Sequence, residues 1–140
     1  MVEVVELAMD IFNEDYIEVI SESPEIISII DRTQLIRIIT NLAKNAIQSI
    51  PEQQENKSVV VHIKKENSNV LITFADNGIG IQPKDIERIF EPKFTTKSSG
   101  MGLGLGIIRN IIENYKGTIT FESEFGKGTT FTVALPIINT

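Results

Sequence analysis

The sequence predicts an α/β (α+β) two-layer sandwich: one mixed, mostly antiparallel sheet with about three main helices on one face. Two observations carry this. Strand-like and helix-like periods intermix along the chain without the strict βαβ alternation of a doubly wound sheet. Pairs of strands also meet across short polar turns at Asn67-Ser68-Asn69 and Gly126-Lys127-Gly128, as hairpins do. The 140 residues suit a single domain over 1–140, with no internal repeat, low-complexity tract or domain boundary.

The elements follow in order. Val4, Val5, Ala8, Ile11 and Phe12 recur at helical spacing over residues 2–12. Tyr16 to Ile20 alternates as a strand, and Ser21-Glu22-Ser23-Pro24 breaks it. Asp31 is a good N-cap, with Gln34 three residues on as in a capping box. Behind it Leu35, Ile38, Ile39, Leu42, Ala43, Ala46, Ile47 and Ile50 form one broad apolar stripe, which Pro51 ends. Asn41 and Asn45 lie one turn apart in this helix, Asn45 at the edge of the stripe. Asparagine is a poor helix former, so the pair points to a use for its amides.

Ser58 to Glu66 and Val70 to Ala75 read as paired strands, and the second delivers Asp76 at its end. Pro83 opens a short helix through Phe90. Residues 91–101, rich in Thr, Ser and Lys, have no period and read as a mobile loop. Gly102 to Tyr115 is helical, with Gly117 as its C-cap. Thr118 to Ser123 and Thr129 to Leu135 alternate as strands, and Pro136 ends the domain.

Composition excludes several chemistries. There is no cysteine, so disulfides, thiolate catalysis and zinc–thiolate sites are ruled out. A net charge of −6 argues against nucleic acid or acidic membrane as a partner. No apolar run approaches the roughly 18–20 residues that span a bilayer, and the start lacks the positive region of a signal peptide.

Six of the nine glycines fall within residues 76–107, as Asp76-Asn77-Gly78-Ile79-Gly80-Ile81 and Gly100-Met101-Gly102-Leu103-Gly104-Leu105-Gly106-Ile107. Glycine loses the most backbone freedom on folding, so such a concentration implies sharp turns or close approach to a ligand rich in phosphate. Lys93, Lys97 and Arg109 supply positive charge nearby. The commoner phosphate motifs fail. Gly126-Lys127 is followed by Gly128 rather than Ser or Thr, which breaks a P-loop. From Gly78, Gly102 or Gly104 the third glycine of a dinucleotide fingerprint is missing.

Four blocks in order resemble the catalytic domain of histidine kinases. Asn41-Leu42-Ala43-Lys44-Asn45-Ala46 resembles the N box and Asp76-Asn77-Gly78-Ile79-Gly80 the G1 box. Phe90-Glu91-Pro92-Lys93-Phe94-Thr95-Thr96-Lys97 resembles the F box, and Gly100-Met101-Gly102-Leu103-Gly104-Leu105 the G2 box. The stretch from Gly117 to Pro136 is similar to the end of that domain.

The resemblance implies a Bergerat-type sandwich, shared with gyrase-type topoisomerases, heat-shock-90-type chaperones and mismatch-repair ATPases. It also implies ATP with Mg²⁺ held between the N-box helix, the G1 turn and a lid from F box to G2. Asp76 would accept a hydrogen bond from the adenine amino group, with Gly78, Gly80 and Ile81 shaping the floor. Asn45 would ligate Mg²⁺, and Asn41 would face the phosphates. Lys97 would reach the terminal phosphates, so Asn41, Asn45 and Lys97 would be the catalytic set. Phe90 and Phe94 would anchor the lid. Lys93, Thr95, Thr96, Gly100, Met101, Gly102, Leu103, Gly104, Leu105 and Thr130 complete the implied binding residues, the G2 amides preceding a helix as anions prefer. Lys93 stands where many relatives carry an aromatic, and Gln48 where many kinases carry a lysine or arginine.

In the ATPase relatives, a water-activating glutamate stands four residues before the metal-binding asparagine. Here that position is Asn41, which disfavours hydrolysis by general base. Transfer to a histidine needs mainly positioning and charge neutralisation. The single histidine, His62, lies in a predicted strand without an acceptor-like context. The implied reading is therefore the catalytic and ATP-binding domain of a two-component sensor histidine kinase, not competent alone. Its partners would be a preceding histidine-bearing dimerisation domain and, indirectly, a response regulator. Neither nucleic acid nor direct membrane contact is expected. The isolated domain is expected to be monomeric and cytoplasmic, though the parent can be membrane-anchored. An anti-sigma-type serine kinase and a non-hydrolysing nucleotide sensor of the same fold are the alternatives.

Overall fold

The computed structural model describes residues 5, 6, 9, 12, 15–21, 30–90 and 103–137. Its sheet has five strands in the order β1-β2-β3-β5-β4, where β1 is Ile17–Ser21, β2 Val59–Glu66, β3 Asn69–Asp76, β4 Thr118–Glu124 and β5 Gly128–Pro136. Only β1 and β2 run parallel; β2–β3, β3–β5 and β5–β4 are antiparallel. The helices are α1 (Arg32–Ser49) and α2 (Leu103–Asn114), with a 3-10 helix at Pro83–Arg88. Val5, Glu6 and Met9 also have helical backbone, within the first expected helix.

Side chains alternate across each strand. Val59, Val61 and Ile63 of β2, Val70, Ile72 and Phe74 of β3, and Phe131, Val133 and Leu135 of β5 are buried on the face that α1 and α2 cover. From α1, Leu35, Ile38, Ile39, Leu42, Ala43 and Ala46 are buried, as the stripe predicts. Ile108 and Ile112 bring α2 into the same core. Each such fully buried aliphatic or Phe side chain contributes roughly 1.5–3 kcal/mol relative to exposure. The opposite face carries Thr73, Thr120, Thr130, Thr132 and His62, none of them buried. His62 sits in register with Ile20 and Thr73, a strand position as expected.

Three local expectations change. Asp31 does stand at the N-cap of α1, but its side chain makes no cap hydrogen bond. The Asp31 N–H, which the Gln34 side chain would take in a capping box, donates instead to the Tyr115 hydroxyl at 3.4 Å. Gln34 Oε1 is buried and has no hydrogen-bond partner among the described residues. The short helix after Pro83 is 3-10 and ends at Arg88 rather than Phe90. At the end of α2 the left-handed residue is Lys116 (φ 62), not Gly117. The Lys116 N–H donates to Glu113 O and the Gly117 N–H to Ile112 O, both at 2.9 Å, a Schellman pair of bonds. Gly117 is small because a Cβ there would lie 2.3 Å from Ala134 O of β5.

Candidate functional site

The site begins at the C-terminal end of β3. The period of two that buries Ile72 and Phe74 puts Asp76 on the same, helix-covered face. Register sets it between Val59 of β2 and Thr129 of β5, and Thr129 in turn opposite Ser123 of β4. Asp76, Thr129 and Ser123 therefore form a polar row across three neighbouring strands. Asp76 Oδ1 accepts the Gly78 N–H at 2.9 Å and the Thr129 N–H at 3.3 Å. Two backbone donors fix the carboxylate's orientation.

The Gly78–Ile81 turn is fastened on both sides. Toward α1, Ile79 N–H donates to Ser49 O at 3.0 Å, satisfying a carbonyl that the helix end would orphan. Gly78 is buried there, and a Cβ would lie 2.3 Å from Ser49 Oγ. Toward the β4–β5 hairpin, Gly126 N–H donates to Ile79 O at 2.6 Å and Ile81 N–H to Ser123 Oγ at 2.8 Å. Gly80 combines φ +75 with a hypothetical Cβ only 2.4 Å from Glu124 O, so both backbone angle and space demand glycine. Asn77 is used structurally. Its Oδ1 accepts the Ser58 N–H at 2.9 Å, and its Nδ2 donates to Asn56 O, tying the turn to the loop before β2.

On α1, Asn41, Asn45 and Ser49 are spaced by four and lie along one ridge. Since Ser49 docks the Gly78 turn, this ridge runs from the turn back along the helix, at roughly 6 Å of rise per step of four. Both asparagines are half-buried. Asn41 Nδ2 donates to Arg37 O at 3.0 Å, which leaves its Oδ1 outside that bond. The Asn45 amide makes no hydrogen bond to another described residue. Among the described residues no group of three or more His, Cys, Asp or Glu is placed to hold a metal. A hard cation at this ridge would draw on the Asn45 amide oxygen, phosphate oxygens and water, a donor set that suits Mg²⁺.

An open cleft of about 380 Å³ borders the strand ends, lined by Asp76, Glu122, Ser123, Glu124, Lys127, Gly128, Thr129 and Thr130. Its lysine is already 3.3 Å from Glu124, and three carboxylates share the lining. Glu122, Glu124 and Thr130 alternate away from Ser123 and Thr129, so this cleft opens on the sheet face opposite the Asp76 side chain and is not the space between Asp76 and the α1 ridge.

Other expected positions divide. Ile81 is half-buried against the core. Phe90 packs on Phe121 (centroids 5.9 Å apart), which packs on Phe131 (5.7 Å). The Arg109 guanidinium lies over the Phe90 ring at 5.1 Å and its Nε is 3.8 Å from Glu113, so its charge is engaged on its own helix. Leu103 and Gly104 open α2, while Leu105 is buried in the core. Lys93, Phe94, Thr95, Thr96, Lys97, Gly100, Met101 and Gly102 lie outside the described residues.

Thr130 needs correction. It faces away from Asp76, on the helix-free side of β5, since Thr129 is buried on the inner face and strand side chains alternate. The residue opposite Asp76 is Thr129, with Ser123 behind it. The sequence marks both only as part of the stretch that resembles the end of the domain, without a site role, and the Gly126-Lys127-Gly128 turn, a hairpin as expected, also clasps the Gly78–Ile81 turn. The signal that finds them is register: only the β3–β5 pairing tells which threonine shares the face of Asp76.

Residues 30–139 match the family model described as histidine kinase-, DNA gyrase B-, and HSP90-like ATPase. Sensor histidine kinase ZraS of Salmonella typhi is 43% identical over 109 residues, covering 77% of this chain and 23% of that protein. Sporulation kinase B of Bacillus subtilis is 36% identical over 115 residues, covering 81% of this chain and 26% of that protein. The chain thus spans about a quarter of the length of these curated relatives. Among solved structures, the nucleotide-free catalytic domain of histidine kinase ThkA superposes with a TM-score of 0.82 at 28% identity, covering 96% of this chain and 90% of that one.

Proposed function

The chain belongs to the histidine kinase-, DNA gyrase B- and HSP90-like ATPase family, and on that premise we propose that it binds ATP with Mg²⁺ and presents the γ-phosphoryl group to a histidine on a separate domain of a longer sensor kinase. The observation that carries this reading is Asp76. Its Oδ1 is held by the Gly78 and Thr129 N–H groups, which orient the carboxylate at the strand end, and carboxylate oxygens have lone pairs enough to accept further from the amino group of adenine. The base would lie on the Gly78–Ile81 turn, and the phosphates would extend toward Asn45 and Asn41.

Asn45 would hold Mg²⁺ through its amide oxygen, and the ion would offset phosphate charge. Asn41 would orient phosphate oxygens, and Lys97 would reach the terminal phosphate. None of these groups is a base, so the site would position and neutralise rather than activate water. An imidazole needs no such activation to attack. The phosphoacceptor histidine belongs to a segment that residues 1–140 do not supply, since His62 lies on the opposite sheet face from Asp76. The relatives' names favour histidine over serine as the acceptor. Among the described residues no helix is long and apolar enough to cross a membrane.

The test is calorimetry with Mg·ATP on the chain, on Asn45→Ala and on Asp76→Asn. Binding that depends on Mg²⁺ and is lost in both variants is expected. Unchanged affinity in both would overturn the assignment.

A further inference from the structure

Asn77-Gly78 is the one Asn-Gly pair in the chain. In a flexible peptide this pair is chemically labile. The glycine backbone nitrogen, unhindered because glycine has no Cβ, attacks the side-chain carbonyl carbon of the asparagine. The N–Cγ bond forms and the Cγ–Nδ2 bond breaks. The amide nitrogen leaves as ammonia, taking the proton that the glycine nitrogen gives up. Water then opens the succinimide at either carbonyl, leaving aspartate or isoaspartate.

The attack has two requirements, and the turn opposes both. The asparagine side chain must swing until Cγ stands over the glycine nitrogen. Here Asn77 Oδ1 accepts the Ser58 N–H at 2.9 Å and Nδ2 donates to Asn56 O, so two backbone groups of the loop before β2 hold the amide in place. Gln54 Nε2 fastens the same loop to Asn77 O at 2.9 Å. The glycine nitrogen must also lose its proton. Here the Gly78 N–H donates to Asp76 Oδ1 at 2.9 Å, and a carboxylate that close disfavours the negative nitrogen that has to form. Gly78 is also buried, which shields the nitrogen from any base in solution.

We propose that Asn77-Gly78 is a latent deamidation site that these bonds hold shut, so that reaction waits on local opening of the turn. The product does not fit the closed turn. Aspartate at 77 sets a carboxylate oxygen where Nδ2 now donates to Asn56 O, so two acceptors face each other. Isoaspartate adds one carbon to the backbone beside Gly78, where even a Cβ would lie 2.5 Å from Ser49 O.

The chain is incubated in mildly alkaline buffer, folded and in urea, while peptide mapping by mass spectrometry follows aspartate and isoaspartate at position 77. The folded chain is expected to react at least about tenfold more slowly than the unfolded one, since opening precedes attack. Asp76→Ala, which removes the acceptor of the Gly78 N–H, should react faster than wild type while folded. If that variant does not fold, wild type in urea below the unfolding transition replaces it, and the rate at position 77 should rise there ahead of global unfolding. Equal rates in folded and unfolded chain overturn the proposal, as does a folded-state rate that neither Asp76→Ala nor mild urea raises. Asn77→Asp, the product made directly, should melt below wild type; equal melting would overturn the misfit of the product.

Discussion

Gly78 lies against the last turn of α1 so closely that a Cβ would be 2.3 Å from Ser49 Oγ and 2.5 Å from Ser49 O. The second of these atoms is backbone and cannot rotate away. Gly78→Ala should therefore force the turn off the helix and break the Ile79 N–H to Ser49 O bond. A loss of about 1–3 kcal/mol in urea unfolding is expected, as for overpacking elsewhere. Mg·ATP affinity should fall with it. Ser49→Ala should not restore either, because it removes only the hydroxyl; restoration would show that the contact is not what constrains the turn.

Asp76→Asn separates the fold from recognition. An asparagine can keep its Oδ1 on the Gly78 and Thr129 N–H groups. Its Nδ2 then replaces the oxygen proposed to face adenine and meets an amino group with another donor. Stability should change little, while ATP affinity falls by at least about tenfold, since a buried donor is left unmatched. Purine riboside triphosphate, which has no amino group, should bind both proteins with similar affinity. A large loss for that analogue as well would mean that the substitution acts through the backbone of the turn.

Thr129 and Thr130 differ only in face. Thr129→Val removes a hydroxyl bonded to Ser123 at the row beside Asp76. Thr130→Val changes a half-buried position on the other side of the sheet. The first should weaken ATP by about fivefold to tenfold and the second should leave it within twofold, judged by one lost hydrogen bond. Equal effects in calorimetry would contradict the register argument.

These three residues also mark what was legible in the chain. Asp76, Gly78, Gly80 and the apolar stripe of α1 follow from local pattern, because a two-residue or 3.6-residue period is written in consecutive residues. The choice of Thr129 over Thr130 depends on which residue of β5 pairs with Asp76, a contact 53 residues away. The clasp of Gly126 on Ile79 is tertiary for the same reason. At Asp31 the N–H meets the Tyr115 hydroxyl, 84 residues on, a partner that no local signal announces. Left-handed Lys116 defeats a propensity rule because Gly117 is needed one residue later for contact with β5.

Arg109 looked from the sequence like a phosphate-side cation. Its guanidinium instead covers Phe90 at 5.1 Å and neighbours Glu113 at 3.8 Å. Both groups of that ion pair are about half exposed, so solvent screens it and it adds little. Arg109→Gln should lower stability by about 0.5–1 kcal/mol through the lost ring contact. ATP affinity should hold within twofold. A fivefold loss in calorimetry would return Arg109 to the nucleotide.

Asn41 decides between transfer and hydrolysis. Its Nδ2 is spent on Arg37 O, and neither end of an amide can take a proton from water near neutral pH. The isolated chain should bind ATP yet release ADP slowly, and should phosphorylate a cognate histidine-bearing domain supplied in trans. Asn41→Glu places a carboxylate one helical turn from Asn45, on the ridge proposed to face the phosphates. General bases are worth about 10²–10⁴ where geometry is ideal, so a rise in ADP release of about tenfold is expected from an unrefined placement. Transfer to the histidine domain should fall, because the added negative charge lies beside the phosphates. Single-turnover assays with labelled ATP read both products at once. Fast ADP release by the unaltered chain would show that water is activated without Asn41 and would favour the ATPase branch of the family.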